Sequence, residues 1–231
     1  MFLGWNPTYW VFALPALVLA LIAQFWVQSA FRKYQRVPNG ARATGVEVAR
    51  RLMRMHGLGV NIESAGNRAL SDHYDPRGRV LRLSVDVATR ASVASMAIVA
   101  HELGHAQQDM ESYPLFRLRA GLVPMVNFTS WLGPILFLAG MFFNSYTLSW
   151  LGIFAFAGAV LFALVTLPVE IDASRRGLRL LEQSGLFVSA QEKKGTRRIL
   201  TAAALTYVAA LAQAFSNLLY YVFLLRGRRR R

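Results

Sequence analysis

The apolar residues of this chain gather into four long runs, residues 8–28, 122–143, 147–167 and 199–225, and none of the four contains a charged side chain. A bilayer core takes about 20 helical residues, so each run is long enough to cross one. Two polar segments, roughly 30–121 and 168–198, lie between the runs and hold all 12 acidic residues. Soluble chemistry belongs in those segments.

Within the first polar segment, Thr44 is placed to cap a helix running to about Met55, with Val48, Leu52 and Met55 at helical spacing and Gly57 or Gly59 to end it. Residues 60–62, 69–74 and 80–84 are short, partly alternating stretches bounded by Gly66-Asn67 and Asp75-Pro76-Arg77-Gly78, which predict a small antiparallel sheet. From about Ala91 the pattern turns small and apolar and runs straight into His101-Glu102-Leu103-Gly104-His105, a buried helix that carries polar groups. In the second polar segment a further helix is expected to begin after Pro168 and to stop at Gly185.

The fold class expected is therefore a mainly α integral membrane protein with about four transmembrane helices and a cytosolic α+β catalytic portion. Its divisions are an N-terminal anchor over 1–29, a catalytic segment over 30–121, a helical hairpin over 122–167, a cytosolic helix over 168–198, and a hydrophobic helix with a basic tail over 199–231. The first run lacks a preceding basic region and is too long for a cleaved signal, so it is read as a retained anchor. Basic residues follow that run and none precede it. The positive-inside rule then puts the first polar segment in the cytoplasm, on the inner side of the plasma membrane. Only Asn144-Ser145-Tyr146 separates the second and third runs, so the hairpin returns to the cytoplasm. The fourth run ends in Arg226 to Arg231 and carries Gln213, Ser216 and Asn217, which leaves its orientation open.

Composition agrees with the pattern, since 55% hydrophobic content is too high for an ordinary soluble domain. The net charge of +14 follows the ends of the apolar runs, as in Phe31-Arg32-Lys33, and fits anionic lipid headgroups. No aromatic platform or recognised motif accompanies the basic residues, so nucleic acid is not an expected partner. The absence of cysteine excludes disulfides and every thiolate metal site, so a metal here must be held by His, Asp or Glu.

His101 and His105 lie one helical turn apart on one face, and both imidazoles can reach a single ion. Glu102 stands about 100° around the helix, beside them. With 4 His and 7 Glu in 231 residues, this pattern arises by chance about once in five hundred such sequences. It fits zinc-assisted hydrolysis, in which the ion polarises a carbonyl and Glu102 accepts a proton from water. A catalytic zinc site needs a third protein ligand. His56 and His73 are the only other histidines, whereas Glu170 and Asp172 stand where the hairpin re-enters the cytoplasm. Glu170 is the preferred third ligand, with Asp172 and His73 as the alternatives.

With these residues in hand, the chain resembles the YugP-like family of membrane zinc metallopeptidases over nearly its full length, and more distantly the HtpX and CaaX-type membrane proteases. The resemblance is carried by Leu70-Ser71-Asp72-His73-Tyr74-Asp75-Pro76-Arg77, Ala100-His101-Glu102-Leu103-Gly104-His105-Ala106, Leu167-Pro168-Val169-Glu170-Ile171-Asp172-Ala173-Ser174-Arg175-Arg176 and Ala204-Leu205-Thr206-Tyr207-Val208. It implies a zincin-like catalytic portion, a Zn2+ cofactor and peptide hydrolysis. In the HtpX-like group the third ligand opens a Glu-x-x-Ala-Asp pattern, onto which Glu170 and Ala173 map, while Ser174 stands where the aspartate would be. That departure removes a carboxylate that would orient a zinc-bound histidine, a place Asp172 or Asp72 is available to fill. The strand beside the zinc helix is suited to pairing with an extended peptide, and His73 or Tyr74 to contacting the substrate or its oxyanion.

The activity expected is that of a zinc metalloendopeptidase of the His-Glu-x-x-His plus Glu type. It would act near the cytosolic membrane face on protein or peptide substrates, membrane proteins among them. Two rivals are a noncatalytic scaffold stapled by zinc, in which Glu102 has no purpose, and a zinc hydrolase of a non-peptide amide.

Overall fold

A computed structural model describes residues 7–68 and 70–228. The N-terminal end of the expected anchor, the first residue of the expected 69–74 strand and the last three arginines of the basic tail lie outside that description. Among the described residues, seven helices and three strands follow in the order α1 (Pro7–Gln35), α2 (Gly45–His56), β1 (Asn61–Ser64), β2 (His73–Asp75), β3 (Val80–Leu83), α3 (Val85–Thr89), α4 (Val93–Met110), α5 (Pro114–Phe142), α6 (Tyr146–Gln183) and α7 (Ala190–Arg228). Among the described residues, α1, α5, α6 and α7 are the helices long and apolar enough to cross a membrane, as the four runs predict.

Several boundaries differ from the sequence expectation, α5 beginning at Pro114 ahead of the second run and α1 continuing to Gln35. No new helix starts after Pro168; α6 runs through it without a break. Proline removes only its own N–H from the ladder, and long apolar helices absorb that loss. Similarly α7 begins at Ala190, and its polar first turns join directly to the fourth apolar run. Gln213, Ser216 and Asn217 do not interrupt it: Gln213 donates to Asn217 one turn on, and the Ser216 hydroxyl donates to the carbonyl of Phe12 in α1.

The chain divides into two compact units. The first takes in the described residues of Met1–Gln24, Arg117–Pro168 and Leu205–Arg231. Its hairpin, α5 with the start of α6, is closely packed through small residues. A Cβ at Gly140 would lie 2.3 Å from the Ser149 nitrogen, and one at Gly152 would lie 2.4 Å from the Phe137 nitrogen. Backbones that approach this closely gain dispersion contacts that lipid tails cannot supply. Phe137, Ile153 and Leu225 form a small core there, while Val11, Phe142 and Phe154 face outward.

The second unit is Phe25–Phe116 with Val169–Ala204. Helix α2 starts where the sequence places it: the Thr44 side chain accepts from the Glu47 N–H and Glu47 bonds back to the Thr44 N–H, a complete capping box, and Gly57 closes the helix at φ 64°. The sheet is mixed, which corrects the antiparallel expectation. Strand β3 lies in the middle, antiparallel to β2 and parallel to β1. It takes the centre because Val80, Leu81 and Leu83 are all buried, whereas β1 is mostly exposed. The largest core cluster joins Leu52 and Val48 of α2, Leu81 and Leu83 of β3, and Met96, Val99 and Leu103 of α4 with Leu180 and Leu181 of α6. This core fixes α4, the motif helix, against the sheet on one side and α6 on the other.

Gly152→Leu is expected to lower the thermal midpoint of the detergent-solubilised protein by several degrees, since backbone atoms already occupy the space its side chain needs. Differential scanning fluorimetry of the purified variant against wild type checks this.

Candidate metal centre

Ser92 starts α4 by accepting from the Ser95 N–H, and the helix continues through the motif to Met110. Two glycines bring α6 against it. A Cβ at Gly104 would stand 2.2 Å from the Ala173 carbonyl oxygen, and one at Gly177 would stand 2.5 Å from the Ala100 carbonyl oxygen. At that separation Glu170 reaches across to both histidines. Its Oε2 lies 3.2 Å from His101 Nε2 and 3.5 Å from His105 Nε2. The ligand atoms of His101, His105 and Glu170 all fall within 4.8 Å of one another, so the three could hold a metal ion. The structure thus brings together the two motif histidines and the preferred third carboxylate, and Asp172 and His73 are not in that group.

The outer nitrogens of the two rings are also engaged. His101 Nδ1 meets Ser174 Oγ at 3.1 Å, and His105 Nδ1 meets Gln108 Oε1 at 2.9 Å. Ser174, which stands where the resemblance would put an aspartate, therefore still contacts a histidine. Asp172 acts one step further out. It accepts from the Gln108 amide at 2.8 Å and from Arg176, which also pairs with Glu111. Gln108 is the site residue that sequence reasoning missed. It is fully buried, and the signal was its position one turn beyond His105 on the same face.

Glu102 accepts a hydrogen bond from the Tyr74 backbone N–H of β2 at 2.9 Å, so the edge strand lies against the motif. Desolvation pushes the Glu102 carboxyl up to about 7, the charge of His101 opposes this, and that of Glu170 adds to it. A carboxyl group poised there can both take and return a proton near neutral pH. The Tyr74 side chain is buried, and its hydroxyl donates to Asp109 at 2.8 Å. Burial, with the Asp109 bond adding to it, raises the phenol above its ordinary value. His73 is exposed, with Nδ1 2.8 Å from the Ser71 carbonyl. Asp72, a candidate to orient a histidine, bonds instead to the Ser84 N–H and hydroxyl.

Two imidazoles and a carboxylate, gathered without any thiolate, are a donor set that suits zinc. Comparison with known proteins agrees. A family described as "Putative neutral zinc metallopeptidase" matches residues 9–226. The chain belongs to that family. It is also 44% identical over 215 residues to the "Putative membrane protease YugP" of Bacillus subtilis (strain 168), covering 92% of this chain and 95% of that one. No solved structure matches the chain. The chain is thus a member of a zinc metallopeptidase family and carries, among the described residues, four helices long and apolar enough to cross a membrane.

Gly104→Ala is expected to force α4 and α6 apart and to lose most bound zinc, because the methyl group would meet a backbone carbonyl rather than a movable side chain. Elemental analysis of the purified variant beside wild type measures the loss.

Proposed function

We propose that the protein is a gluzincin-like endopeptidase that hydrolyses peptide bonds near the cytosolic face of the plasma membrane. The observation that carries this reading is the convergence of His101, His105 and Glu170 with Glu102 one residue along the same helix. In this reading those three residues hold a zinc ion, which supplies the Lewis acidity that polarises a carbonyl and makes water nucleophilic near neutral pH. Glu102 is the general base: it accepts the proton of the attacking water and delivers it to the leaving amine. No covalent intermediate with the protein is needed.

Substrate pairing falls to β2, an edge strand that presents the Tyr74 N–H toward Glu102. With the Tyr74 hydroxyl held by Asp109, the exposed His73 imidazole is the side chain of that strand best suited to contact a substrate or its developing oxyanion. The cytosolic orientation rests on Arg32, Lys33 and Arg36, which follow the first apolar run. Glu170 stands three residues beyond the end of the third apolar run. That spacing favours membrane proteins or their juxtamembrane segments as substrates, with anionic lipid headgroups at the basic ends of the helices.

The test compares zinc content and casein cleavage of the detergent-purified protein with those of two variants. Wild type is expected to hold near one zinc per chain. Glu170→Gln should lose it, and Glu102→Gln should keep it while losing about 10²-fold or more in cleavage rate. Zinc retained in full by Glu170→Gln would overturn the ligand assignment, and full activity in Glu102→Gln would overturn the general base.

A further inference from the structure

We propose that Gln108 is a positioning residue that fixes His105 in one tautomer, so that the lone pair of its Nε2 faces Glu170. This deepens the metal-centre reading and rests on His105 being a ligand.

The deduction starts from the amide. Gln108 Nε2 lies 2.9 Å from the Val169 carbonyl oxygen and 2.8 Å from Asp172 Oδ2. A carbonyl and a carboxylate only accept, so the end of the amide that faces both must be the NH₂ group. The opposite orientation would set the amide oxygen against two acceptors inside a fully buried site, at the cost of two lost hydrogen bonds. Gln108 Oε1 must then face His105 Nδ1, 2.9 Å away. An amide oxygen can only accept, so Nδ1 carries the proton and the ring cannot rotate without losing the bond. The Nε2 lone pair is left pointing to the side where Glu170 Oε2 stands 3.5 Å away.

Asp172 is itself held. Arg176 donates to it from one turn further along α6 and pairs with Glu111 at the end of α4, and its guanidinium lies 5.7 Å from the Tyr113 ring centroid. Among the described residues, His101 has no equivalent device. Its Nδ1 partner is the Ser174 hydroxyl, which can donate or accept and so does not decide the tautomer. The two ligand histidines are thus set by unequal means, and Gln108 carries the decision for His105.

The test uses full-length protein in detergent micelles, labelled with ¹⁵N-histidine and stripped of metal by chelator. Nitrogen chemical shifts report each ring's tautomer, and His105→Asn identifies the His105 signals among four histidines. Wild-type His105 is expected to carry its proton on Nδ1. A proton on Nε2 overturns the proposal, and this arm needs no Gln108 variant to fold. Zinc chloride is then titrated against a chromophoric chelator. Gln108→Leu is expected to mix the His105 tautomers and to weaken zinc binding about 10- to 100-fold. A folded Gln108→Leu protein with unchanged tautomer and affinity overturns the proposal. If wild type shows the Nδ1–H tautomer but takes up no zinc, Gln108 sets the ring as proposed, and it is the ligand assignment that fails.

Discussion

The site depends on how closely two backbones approach. A glutamate side chain is short, and Glu170 can reach His101 and His105 only because α6 lies directly on α4, with Gly104 facing Ala173 and Gly177 facing Ala100. Each glycine stands where a methyl group would run into a carbonyl oxygen, so the separation is set by main-chain atoms and not by adaptable side chains. Gly104 lies inside the motif itself, between Glu102 and His105. The motif therefore supplies both the donors and the space that lets the third donor arrive.

That approach buries a carboxylate, and Glu170 is only 2% exposed. A buried charge without a partner would be severely destabilising, and a cation held between Glu170 and the two imidazoles would supply that partner. The surroundings continue the compensation outward, through Gln108, Asp172, Arg176 and Glu111 on one side and Ser174 on the other. Polar groups this deep are tolerable because the network is nearly complete, and a complete network also makes the geometry unique.

Much of this was legible in the residues alone. The four runs, the Thr44 cap and the Gly57 stop are local signals, and they survive in the fold because nothing in the tertiary packing opposes them. The motif pair was legible because a spacing of four is a statement about one helix face. In a chain without cysteine and with few histidines, Glu170 was the preferred third ligand with Asp172 and His73 left open, and the family resemblance favoured it. The direction of β1 was not legible, because alternation along a strand says which face is buried and nothing about which way its neighbour runs. The continuity of α6 was hidden by Pro168, a residue that stops helices in water far more often than it stops long apolar ones. Gln108 was hidden for a different reason: its place one turn beyond His105 was visible, but a lone glutamine on a helix points to no role until its two acceptors, 61 and 64 residues further along the chain, are in place.

The donor set of His101, His105 and Glu170 has a consequence for the conditions under which the protein can work. Metal centres built on thiolates answer to their redox surroundings, since peroxide converts the sulfur to sulfenic acid and ejects the ion. Imidazole and carboxylate carry no sulfur for peroxide to convert in this way. A metal held by these ligands would be insensitive to thiol oxidation and sensitive to acid instead, because protons compete for the same lone pairs as the metal.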